Sequence, residues 1–91
     1  MLMKPDQIYQ ELNNIAEKMG VVVQEHNFRT TGIPVKSGSC IVRGQPIVII
    51  DKHKSLNKKI RILASSLAKF PHDQVFAIPA VRELLNRYAK E

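Results

Sequence analysis

From Pro5 the chain places Ile8, Leu12, Ile15, Ala16 and Met19 three or four residues apart, and Gly20 ends the pattern. That spacing predicts a helix over 5–19, opened by a proline whose missing N–H the first turn does not need and closed by a glycine suited to a C-terminal cap. The pattern then changes. "VVVQEHNF" is β-branched and short, which predicts a strand over 21–28. "RTTGIPVKSG" holds two glycines and a proline and reads as a loop.

Two short apolar runs follow, "SCIVR" and "IVIID", separated by "GQP". They predict a β-hairpin. With Gly44 and Gln45 as the central turn residues, Arg43 would oppose Pro46, Val42 would oppose Ile47 and Cys40 would oppose Ile49. Cys40, Val42, Ile47 and Ile49 then share one face, and Ile41, Val48 and Ile50 the other. A strand that is apolar on both faces calls for a central position with cover on each side, or for an oligomer contact.

Ser55 is a good N-cap for the next helix. Leu56, Ile60, Leu63, Leu67 and Phe70 fall within about 80° of arc on it, and Lys58, Arg61, Ser65 and Lys69 occupy the opposite arc. Pro71 stops that helix. Pro79 can begin a last one, with Val81, Leu84, Leu85 and Tyr88 as its buried stripe. The element order predicts a single α+β domain over 1–91: a helix, a three-stranded, mostly antiparallel sheet with a central hairpin, then two helices packed on the sheet.

That order, with a helix of polar outer face directly after the hairpin and a hydrophobic stretch "IRILA" within it, resembles the core of the minimal zincin metallopeptidases over residues 5–70. The resemblance implies a His-Glu-x-x-His motif on this helix. Aligned so, the two histidines and the glutamate fall on Ser65, Lys69 and Ser66. Serine hydroxyls are poor zinc ligands, a charged ammonium cannot coordinate, and the general base for a bound water is missing. A chain descended from such peptidases would therefore lack their activity.

Charge adds the strongest functional signal. The chain carries a net charge of +6, and residues 29–69 hold nine Lys and Arg against Asp51 alone. Any anionic partner should meet this segment. Within it, "DKHKSLNKKIR" gathers Lys52, Lys54, Lys58, Lys59 and Arg61 around Ser55, with Lys69 further along the helix and Arg29, Lys36 and Arg43 preceding it. Helix N-termini favour anions, so cations here oppose the helix dipole by a few tenths of a kcal/mol each. A phosphate group or an acidic partner would account for them. The competing interpretation is a solvated basic loop that keeps the protein soluble.

Other chemistries find less support. His26, His53 and His72 lie on a strand and two loops with no helical ligand spacing, so no metal is expected. Cys40 has apolar neighbours and no cation on its own face, which predicts a buried structural cysteine over a reactive thiol. "RGQP" and "KSGS" lack the spacing of phosphate-binding loops. The five aromatics include none inside the basic segment, so base stacking has no platform and backbone contact remains. With one cysteine, no signal-peptide pattern and no apolar run of membrane length, the expected setting is the cytoplasm, away from membranes. These features point to a non-enzymatic binding module without a cofactor. Its expected partners are a nucleic acid backbone or an acidic protein, with a second copy of the chain as a further candidate. The alternatives are a catalytically inactive zincin-like accessory or oligomerising subunit, and an enzyme using Cys40 or a metal.

Overall fold

The computed structural model describes residues 3–26, 38–71 and 75–89. Helix α1 spans Pro5–Met19, strands β1, β2 and β3 span Val22–His26, Gly38–Val42 and Gln45–Asp51, and helices α2 and α3 span Leu56–Leu67 and Pro79–Ala89. The protein is an α+β fold of three helices on a three-stranded sheet, as the element order predicts.

The first helix has the expected bounds for the expected reasons. At its start the Lys4 N–H donates to Gln7 Oε1 at 3.1 Å, so the third helical residue closes back on the cap. At its end Gly20 adopts φ 76°, and the N–H groups of Gly20 and Val21 reach the carbonyls of Glu17 and Ala16. This left-handed turn points the chain straight into β1.

The sheet order is β1-β3-β2. β3 is therefore central, as its apolar composition requires, but the sheet is mixed: β2 runs antiparallel to β3 and β1 runs parallel to it. The hairpin register differs from the expected one by two residues. Val42 opposes Gln45 and Cys40 opposes Ile47, with Arg43 and Gly44 as the turn, at φ 51° and 81°. The cause is Pro46. In a tight hairpin the residue after the turn must donate its N–H back across it, and proline has none. Gln45 takes that place, and its side-chain amide also donates to the Gly20 carbonyl at 2.6 Å. A slip of two residues preserves side-chain parity. The predicted faces therefore hold although the predicted pairs do not.

One face of the sheet meets α1 and α2, and α3 packs against those two helices to close the core. Val48 and Ile50 are fully buried there, against Leu12 and Ile15 of α1, Leu63 and Leu67 of α2, and Val81 and Leu85 of α3, all within one core. Each such side chain contributes about 1.5–3 kcal/mol on leaving water. Ile47 and Ile49 face the other way and are only half-buried, and Val22 and Val42 beside them are exposed. The sequence calls for cover on both faces or for an oligomer contact; among the described residues the helices cover one face.

Helix α2 ends three residues before the predicted Phe70. Its last turn tightens, with the N–H groups of Lys69 and Phe70 bonding the carbonyls of Ser66 and Leu67, because Pro71 disfavours the α conformation at the residue before it. Helix α3 begins at Pro79 as expected. Its approach is fixed by the Arg82 guanidinium, which donates to the Val75 carbonyl. Among the described residues, no buried side-chain nitrogen or oxygen lacks a hydrogen-bond partner.

Candidate anion-binding surface

Asp51 ends β3 and organises the turn that follows. Its carboxylate accepts the His53 N–H at 3.0 Å, its carbonyl accepts the Lys54 N–H at 3.1 Å, and the Lys52 N–H bonds the His26 carbonyl at 3.0 Å. An aspartate accepting from its own backbone two residues on forms a compact Asx turn. The turn delivers Ser55 in an extended conformation, φ −62° and ψ 157°, and its Oγ accepts the Lys58 N–H at 3.3 Å. Ser55 is thus the cap that the sequence predicts.

Around that cap Lys52, Lys54 and Lys58 are exposed, and the first turn of α2 contains no acidic residue. Arg61 is exposed one turn beyond Lys58. Lys69 is exposed as well, but it lies past the helix end. Eleven residues separate it from Lys58, or about 16 Å at the helical rise. The predicted set therefore divides into a compact group at the start of α2 and a cation at the opposite end. Arg43 lies at the tip of the hairpin. Arg29, Lys36 and His72 lie outside the described residues.

Lys59 does not belong to the exposed group. Its Nζ is 2.7 Å from Glu25 Oε1, and its side chain is 16% exposed. The second carboxylate oxygen of Glu25 accepts the Tyr9 hydroxyl at 2.7 Å. Tyr9 on α1, Glu25 on β1 and Lys59 on α2 thus form one clamp across three elements. Partial burial alone would raise the Glu25 carboxyl, but the hydrogen bonds from Lys59 and Tyr9 and the Lys59 charge outweigh it and hold the group below its ordinary value. Burial, followed by the hydrogen bond to Glu25 and its negative charge, pushes the Tyr9 phenol well above its usual range. No local pattern announces this clamp, because its members lie 16 and 34 residues apart in sequence.

Cys40 corrects the sequence expectation: it is exposed, not buried. It belongs to an outer strand and points to the face away from the helices, which no hydrophobic pattern within the strand itself reveals. Ser65 is half-buried and its hydroxyl donates to the Ile62 carbonyl at 3.1 Å, while Ser66 is buried. No group of three or more His, Cys, Asp or Glu among the described residues could hold a metal ion. No helix among them is long and apolar enough to cross a membrane.

The chain matches no family model, and searches of curated proteins and of solved structures likewise return no match.

Proposed function

We propose that this protein is a small non-enzymatic binding module that docks a polyanion, a nucleic acid backbone first and an acidic protein second, at the start of α2. Lys52, Lys54 and Lys58 would form the centre of the surface, with the Ser55-capped helix end adding its dipole and Arg61 extending it; Lys69 would reach only a long ligand. The observation that supports this most is the crowding of exposed lysines at a helix end whose first turn has no acidic residue. That arrangement costs helix stability and is compensated when an anion binds. Lys59 serves the fold through Glu25 and stands outside the docking set.

The test is fluorescence anisotropy with a labelled 20-nucleotide duplex at low salt, comparing the parent with Lys54→Glu/Lys58→Glu. Both side chains are exposed and the change relieves two cations at the helix start, so the double variant should keep or slightly raise its urea midpoint. Binding by the parent should weaken linearly in log–log salt titration, with a slope near −0.9 for each phosphate contacted. The variant should lose most of its affinity. Equal affinity of parent and variant would reject the proposal. Poly-glutamate binding more tightly than the duplex at equal salt would identify an acidic protein as the partner class.

A further inference from the structure

We infer that β2 is a docking edge for a second copy of this chain, which would join two three-stranded sheets into one of six strands. The inference does not depend on polyanion binding and rests on the outer edge of the hairpin.

The phase of the ladder decides which backbone groups are available. Val42 and Gln45 flank a two-residue turn, so they exchange hydrogen bonds, and every second residue along β2 does the same with β3. Val42, Cys40 and Gly38 therefore bond inward. The N–H and C=O groups of Ser39 and Ile41 point away from the sheet. β2 is an outer strand, and its side chains offer none of the usual protection. Its five residues, Gly38, Ser39, Cys40, Ile41 and Val42, include no charge and no proline, and its register with β3 contains no bulge. Ile41 is 65% exposed and Val42 50%. The other outer strand, β1, contrasts with it by carrying Glu25 and His26.

The occupant follows from charge and register. An acidic peptide would gain no charge pairing from an uncharged strand, whereas a second copy pairs with it in a symmetric antiparallel register. Antiparallel pairing over the full strand sets Ser39 opposite the partner's Ile41 as a hydrogen-bonded pair, and Cys40 opposite the partner's Cys40 as a non-hydrogen-bonded pair. In this register the two Arg43 side chains sit at opposite ends, about 20 Å apart along the strands. That exceeds the Debye length of about 8 Å at physiological salt, so among the described residues no cations oppose one another across this seam. Five paired residues bury an area at the low end of specific interfaces, below about 1,200 Å² in total. The dimer is therefore dissociable and concentration-dependent.

Two measurements test the proposal. Sedimentation equilibrium of the full chain in dithiothreitol, from about 10 μM to about 1 mM, should show a reversible monomer–dimer equilibrium. Ile41→Lys should weaken it about tenfold or more. Separately, diamide should couple the two Cys40 thiols into an intermolecular disulfide, accepting two electrons and two protons. Cα atoms of a non-hydrogen-bonded pair lie about 4.5 Å apart, within the range a disulfide spans. Coupling should be several-fold faster than in Cys40→Ser/Asn57→Cys, whose thiol lies on the exposed surface of α2. A parent that stays monomeric at the highest concentration, association that survives Ile41→Lys, or equal cross-linking rates for the two cysteine positions would overturn the proposal.

Discussion

Glu25→Gln isolates the clamp between α1, β1 and α2. The substitution keeps the shape and hydrogen-bonding reach of the side chain and removes its charge. Two contacts of 2.7 Å, from Tyr9 Oη and Lys59 Nζ, lose the carboxylate charge: the ammonium loses its counter-ion, and one of the two acceptor oxygens becomes an amide NH2. Hydrogen bonds to charged groups are worth about 1.5–3 kcal/mol and neutral ones about 0.5–1.5, so the full difference over both contacts would be near 2 kcal/mol. The Glu25 side chain is 35% exposed, and solvent screening reduces this to about 1 kcal/mol. For a domain of this size that lowers Tm by roughly 4–8 °C.

The pH dependence gives the prediction its sharper edge. The folded-state pKa of Glu25 is depressed, so its contribution is fully present above the unfolded value, near 4.5, and fades as pH falls through the folded value. Urea unfolding followed by circular dichroism should therefore separate parent and variant by about 1 kcal/mol at pH 7. The gap should shrink steadily below pH 4.5, where the parent's carboxyl also becomes neutral. On the alkaline side the raised Tyr9 pKa means that its contribution persists to beyond the ordinary phenol value of 10.0. A gap below about 0.3 kcal/mol at pH 7, or one that does not change between pH 7 and pH 3, would refute the reasoning.

Two further substitutions probe local features by the same unfolding assay. Arg43 adopts φ 51°, a conformation costly to a side chain with a Cβ, and Arg43→Asn creates the Asn-Gly pair favoured in this turn, so stability should rise by about 0.5–1 kcal/mol; an unchanged or lower urea midpoint would count against the turn geometry. Ser55→Ala removes the cap acceptor for the Lys58 N–H and should cost about 1 kcal/mol; no loss of stability would show that the cap contributes nothing to α2.

Much of the architecture is legible in local chemistry. Pro5, Gly20 and Pro79 mark helix boundaries because each permits or forbids particular backbone angles regardless of what packs nearby. Ser55 marks another because its hydroxyl reaches its own helix. The two faces of β3 follow from alternation alone and survive a register shift of two. Even the true turn could have been read from Pro46, which cannot donate the closing hydrogen bond.

The remainder depends on residues distant in sequence. That β1 runs parallel to β3, leaving β2 at the edge, is a matter of which strands meet, and the strand sequences are compatible with several orders. Edge placement in turn exposes Cys40, which its apolar neighbours suggested was buried. Along the chain Lys59 is one more lysine in a basic run; only the approach of β1 and α1 to the start of α2 gives it a carboxylate and removes it from solvent. The sequence by itself determined where elements begin, which face each buries and where positive charge accumulates, because those follow from bonds and spacings within a few residues. Strand order, the exposed edge and the division of lysines between clamp and surface were decided by the tertiary structure, because each depends on long-range contacts that no local pattern encodes.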